Sequence, residues 1–202
     1  MIPFHGWAWV DDVDYRYVLS RSIGRGAAYG PTVTWIMLNP STADAREDDV
    51  TVRRVVGFTR HLLATRDENH GAVLIVNAYA YRATVPAEAW EAERNGIDII
   101  GPRNDDAIRN AVRLSRDVVI AWGMQMRPDA RRRARADIVL SFLEEMGAGP
   151  DSFDLRVIRF GQAGSPVHPA REPYGRVGRQ VLFRTTPTEI RRQMNIGDWT
   201  WL

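Results

Sequence analysis

The sequence predicts an α/β fold, a three-layer α/β/α sandwich around a central, mainly parallel, four-stranded sheet. Three observations lead there. Four short runs, 33–38, 73–77, 118–122 and 155–160, are nearly continuous in apolar or β-branched residues, as in strands covered on both faces. Segments with helical spacing separate them, and strand–helix alternation builds parallel sheets with helices on both sides. The 202 residues, 45% of them apolar, suffice for one packed core and not for two large ones, so residues 1–202 are read as a single domain.

The elements follow in order. Tyr15–Ile23 alternates in polarity and is expected to add an N-terminal strand at an edge of the sheet. After the first apolar run, Asp48 and Asp49 can cap a helix whose Val52, Val55, Val56, Leu62 and Leu63 share one face, leaving Arg53, Arg54 and Arg60 outside the stripe. Pro86–Arg94 opens with a proline, which the first helical turn tolerates. In 104–115, Ala107, Ile108, Ala111 and Val112 align on one side. The helix at 128–146 is expected to bury Ile138, Val139, Phe142, Leu143 and Met146 and to stop at Gly147. Residues 147–152 read as a surface loop and 179–184 as a further strand. No repeat, low-complexity tract or interdomain linker interrupts the pattern.

Composition excludes several chemistries. There is no cysteine, which removes disulfides, thiol nucleophiles and cysteine-ligated metals. All 27 basic residues are arginine, so lysine Schiff bases and the P-loop lysine are excluded too. No metal or other cofactor is expected. The apolar runs are far shorter than the roughly 20 residues of a membrane span, and the N-terminus is aromatic and soon acidic, unlike a secretory signal. A cytoplasmic monomer with no membrane partner is expected. The net charge is only +2, yet arginines cluster at 131, 132, 133 and 135 and again at 171, 176, 179 and 184. Such clusters suit phosphate, and solvated helix faces look the same.

In open α/β sheets, sites form beyond the carboxyl ends of the strands, and here those ends carry polar residues. The first apolar run turns through Asn39-Pro40-Ser41-Thr42-Ala43-Asp44. Proline fixes the turn, so the Asn39 amide and the backbone after Pro40 can face the crevice; alternatively Ser41 or Thr42 caps a short helical segment answered by Asp44. The second run ends at Asn77, followed by Tyr79, Tyr81 and Arg82. An amide after four apolar residues must find partners, and it offers both an acceptor and donors to a nucleobase edge, or it bonds backbone at the strand end. Tyr79 or Tyr81 can stack on a base or fill the core. After the third run, Gly123 permits close approach to a ligand or makes the turn. The fourth leads into a loop rich in glycine and proline with His168 set before Pro169.

An Asn-Pro turn after the first strand, Asn after an apolar strand, an aromatic-Gly turn and His-Pro in a late loop together resemble the uracil-DNA glycosylase superfamily. The matching stretches are LNPS at Leu38 to Ser41, LIVN at Leu74 to Asn77 and HPAR at His168 to Arg171. The chain also resembles, over nearly its whole length, a bacterial domain family of unknown function marked by LNPSTAD, then DD and T-x-R-R, NAYAYRAT and AWG. The first resemblance implies a uracil-DNA-glycosylase-like fold and hydrolysis of an N-glycosidic bond by a monofunctional DNA glycosylase, leaving an abasic site. His168 would then donate to the base oxygen and Asn77 read the base edge beside Pro40 and Tyr79, while Asn39 holds the water with help from Asp44 or Asp48. Thr42, Arg53, Arg82, Gly123 and Arg171 would hold the DNA strand. Asn39 stands where many members carry aspartate. Ser41 stands where the uracil enzymes carry a tyrosine that closes the pocket at carbon 5, so a hydroxymethylated or glucosylated cytosine would fit. Such bases mark viral DNA, which places the expected activity in antiviral defence. In the late loop Ala170 and Arg171 replace Ser-Pro, so the usual apolar wedge is missing and Arg171 or Tyr174 would fill the vacated stack. Two other readings remain: a binding module that senses modified nucleic acid without chemistry, and a hydrolase of free nucleosides or nucleotides.

Overall fold

The computed structural model describes residues 6–11, 14–24, 30–41, 43, 47–148, 152–172 and 181–196. It is an α/β fold built on one seven-stranded mixed sheet. In chain order the strands are β1 (Ala8–Asp11), β2 (Tyr15–Ile23), β3 (Thr32–Met37), β4 (Gly71–Asn77), β5 (Asp117–Ile120), β6 (Asp154–Val157) and β7 (Phe183–Arg184). The helices are α1 (Val50–Ala64), α2 (Pro86–Arg94), α3 (Asn104–Arg113), α4 (Ala130–Glu145) and α5 (Pro187–Met194).

The spatial order is β1-β2-β4-β3-β5-β6-β7. The four strands expected from apolar runs lie side by side and mutually parallel, while β1, β2 and β7 pair antiparallel with their neighbours. Two expectations are corrected here. The sheet has seven strands, one more than the four apolar runs and the two flanking segments predict, and the added strand β1 covers the outer side of β2, which is therefore not an edge. The strand expected at 179–184 is observed at Phe183–Arg184; residues 179 and 180 lie outside the described residues.

Alternation along the parallel strands feeds two cores. Ile36, Leu74, Val76, Val118, Ile120, Leu155 and Val157 face α3 and α4, with Trp90 of α2 and Ile190 and Met194 of α5 in the same cluster. Val33, Trp35, Met37, Val73, Ile75 and Val119 face Val52, Val55, Phe58, Leu62 and Leu63 of α1. The fully buried Trp35 indole is satisfied by Thr59 Oγ1 at 3.0 Å, so burying this large ring leaves no orphaned donor. α1 starts where its cap dictates: the Asp49 side chain accepts from Val52 N at 2.7 Å.

α4 departs from its expected face. Ile138 is 45% exposed, because the inward stripe runs through Arg135, Ala136, Val139, Leu140 and Leu143. An arginine can occupy that stripe since its charge is met: Arg135 pairs with Asp105 at 2.6 Å and donates to Ala78 O at 2.7 Å. α3 ends at Arg113 rather than Ser115, whose hydroxyl bonds Thr34 Oγ1 at 2.6 Å instead.

The two ends of the parallel strands differ in character. At the amino ends, the fully buried Asp117 carboxylate is clamped by Arg66 at 2.6 Å and Arg156 at 2.5 Å, and Asp154 joins both arginines. At the carboxyl ends the chain passes from β3 through α1 to β4 on one side, then returns across β3 to β5 on the other, which opens a crevice where the winding reverses. Among the described residues, no helix is long and apolar enough to cross a membrane.

Candidate functional site

The crevice is occupied by a cavity of about 1090 Å³. Its first wall is the turn after β3. Asn39 donates through Nδ2 to Pro40 O at 3.1 Å and Ala83 O at 2.9 Å, and Ala83 N donates to Pro40 O at 3.0 Å, stitching this turn to the segment after β4. Both amide hydrogens are thereby spent on backbone, and no described residue donates to Asn39 Oδ1. The side chain is fixed as an acceptor. Two residues on, the Ser41 hydroxyl donates to Asp49 Oδ2, while Asp49 Oδ1 receives the cap bond from Val52 N.

The opposite wall is the loop after β6. Phe160 bridges to Pro166, Gly161 N donates to Ser165 O at 2.9 Å and Val167 N to Arg159 O at 3.0 Å, so a short hairpin presents His168. Its backbone is extended, at φ −77° and ψ 139°, as the following proline requires. His168 Nδ1 accepts from Ala170 N at 3.2 Å, so the ring proton resides on Nε2. Burial pushes the imidazole down to about 4; Arg171 and Arg54 act in the same direction, and Asp49 opposes them. The ring is neutral at physiological pH and offers an N–H donor.

Two contacts hold this loop in place. Arg54 of α1 donates to Pro169 O at 3.1 Å and to Ala170 O. Gly123 N donates to Pro166 O at 2.9 Å, and a Cβ on Gly123 would lie 3.2 Å from His168 Cβ. Gly123 has φ +79° and ψ −176°, a region essentially closed to other residues, so glycine is required both for the turn and for the close approach.

Of the residues singled out in the sequence, Asn39, Ser41, Gly123, His168 and Arg171 line the cavity together. Asn77 does not. It is fully buried beside Met37, its register partner, and neither of its side-chain polar atoms has a hydrogen-bond partner. Pro40 is buried in the turn and also off the cavity wall. Tyr79 is a core residue, edge-on to Trp90 at 5.2 Å, with burial pushing its phenol up, so it presents no stacking face to the cavity. Asp48 is turned away into an ion pair with Arg21 at 2.6 Å. Arg53 is exposed and donates to Asp48 O, and Arg82 is half-buried; neither lines the cavity. Thr42, Asp44 and Tyr174 lie outside the described residues.

The structure adds residues that sequence reasoning passed over. Asp49, read only as a cap, lines the cavity and is the single carboxylate among the described lining residues. Arg16, Gln125, Arg159 and Gln162 supply further polar groups, and Met124, 64% exposed, stands on the lip just after Gly123. Asp49 could have been found by asking where the capping residue of a helix that follows a site-forming strand must point. Arg16 carried no comparable signal. Among the described residues, no group of three or more His, Asp or Glu side chains could hold a metal ion.

A family profile described as "Protein of unknown function (DUF1643)" matches residues 16–170, a span holding every lining residue named above except Arg171. No curated protein and no solved structure matches the chain. With about three-quarters of its residues inside that match, the chain belongs to the DUF1643 family of proteins of unknown function.

Proposed function

We propose that the protein is a DNA glycosylase that hydrolyses the N-glycosidic bond of a flipped, 5-enlarged pyrimidine. The observation that carries this reading is the pairing of two fixed, uncharged groups across one cavity. Asn39 presents a carbonyl oxygen that can accept from a water, and His168 presents an Nε2–H that can donate to a departing base. Breaking the bond from C1′ to the base leaves negative charge on the base, and a neutral donor already aimed at that charge stabilises it without moving a proton. The order β4-β3-β5-β6, all parallel, brings the loops after β3 and β6 to the same end of the sheet, where each presents one of these two groups.

The rest of the site agrees with that substrate. The cavity lies just above the roughly 300–1,000 Å³ typical of small-molecule sites, more than an unsubstituted pyrimidine fills, and Ser41 puts only a small side chain on the wall beside the turn. Met124, exposed on the lip, is the apolar side chain that can enter the gap left by an extruded nucleotide, a role the late loop does not supply. Arg171 and Arg159 at the mouth suit phosphate.

The test is to incubate the protein with unmodified plasmid, deaminated plasmid and phage DNA carrying hydroxymethylated or glucosylated cytosine, then treat with alkali. Strand breaks confined to the modified DNA, and lost in His168→Ala, are expected. An absence of alkali-labile sites in every substrate overturns the reading. One observation favours a free nucleotide as a second substrate form: Arg159 is tied to Glu172 at 2.6 Å and Arg16 is buried, which thins the positive charge available to a DNA backbone. Mononucleotides that compete with DNA at equal base concentration would select it.

A further inference from the structure

We propose that Asp49 is the general base of this cavity, the carboxylate that takes a proton from the water attacking the sugar. The inference rests on the glycosidic reading above and deepens it. Hydrolysis needs a proton acceptor for the water, and the cavity offers few. Asn39 has no basic atom. His168 is occupied on both nitrogens, with Nδ1 accepting the Ala170 N–H and Nε2 carrying the ring proton. Asp48, an expected assistant, is held by Arg21 and does not line the cavity. Asp49 is the remaining anion among the described lining residues.

Its anchoring fits the role. Each carboxylate oxygen receives one donor, Val52 N on Oδ1 and the Ser41 hydroxyl on Oδ2, which locks the group while leaving further lone pairs on both oxygens for a water. The cap position places it at the positive end of α1, close enough to His168 for the two to feel each other electrostatically. In the step itself, the water oxygen bonds C1′ and the bond from C1′ to the base breaks, its electron pair leaving with the base. The water proton passes to Asp49 and then to solvent, and the base anion, hydrogen-bonded by His168, takes a proton from solvent. One water is consumed for each free base and hydroxyl-bearing sugar.

The experiment uses the full chain and Asp49→Asn, which keeps the shape, the helix cap and the Ser41 contact, since asparagine caps as well as aspartate. Base release from the modified phage DNA should fall by about 10²–10⁴-fold in kcat, with KM not raised. A second readout needs no turnover: binding of oligonucleotides carrying a cationic pyrrolidine or a neutral tetrahydrofuran abasic-site analogue. The unsubstituted protein should prefer the cationic one by roughly tenfold, the worth of one charged contact, and Asp49→Asn should erase that preference. If Asp49→Asn releases base at the parental rate, or Asp44→Asn alone abolishes release, the inference is overturned while the glycosylase reading stands. If the unsubstituted protein releases no base and distinguishes neither analogue, both fall together.

Discussion

Acidification from pH 6.5 to about 4 should cost this protein stability through the His168 imidazole. His168 titrates at about 4 rather than the ordinary 6.5, chiefly because burial penalises the charged ring. At about 1.4 kcal/mol per pH unit, charging it in the folded protein costs about 3 kcal/mol more than in the unfolded chain. The sign follows from proton counts. Between pH 6.5 and about 4 the unfolded chain binds this proton and the folded chain does not, so stability rises with pH across that window and falls as pH drops through it. The assay has two arms. Proton NMR should show one imidazole, identified by its loss in His168→Gln, still neutral at pH 5. Urea denaturation at pH 7, 6, 5 and 4 should lose about 3 kcal/mol more in the unsubstituted chain than in His168→Gln. An imidazole that titrates near 6.5, or parallel pH profiles for the two proteins, would refute the argument that the loop buries a neutral ring.

Two further outcomes follow from the same geometry. Gly123→Ala forces a side chain into a glycine-only backbone region and against His168 Cβ at 3.2 Å, so it should cost about 1–3 kcal/mol in thermal unfolding and lower base release more than DNA binding. Asp117→Asn should be more damaging, about 3–5 kcal/mol by denaturant titration, because it removes the buried charge shared by Arg66 and Arg156 and leaves the two cations with Asp154 as their remaining carboxylate. Burial alone would raise the Asp117 carboxyl, but hydrogen bonds from Arg66 and Arg156 outweigh it and hold the group below the usual range. Its stabilisation is therefore present above the ordinary carboxylate range and lost as pH falls through the depressed value, an acid-sensitive component that Asp117→Asn should remove.

What the amino-acid sequence settled unaided is everything governed by near neighbours. Continuous apolar runs marked the four parallel strands because strands covered on both faces need no polar alternation, and helical spacing with Asp49 and Pro86 marked where α1 and α2 begin. Short motifs likewise pointed to the Asn39 turn and the His168 loop, since proline and glycine restrict the backbone within a residue or two. The remaining features depended on contacts between distant residues. An edge strand of four residues such as β1 carries too little pattern to be read before a partner strand pairs with it, and the strand expected over 179–184 is observed only at its last two residues, Phe183–Arg184. That Asn77 and Tyr79 sink into the interior, and that Asp49 rather than Asp48 lines the cavity with His168, is decided when α1 packs over β3 and Arg21 claims Asp48. Adjacent aspartates have the same local chemistry; only the direction each side chain takes in the packed structure separates a cavity wall from an ion pair.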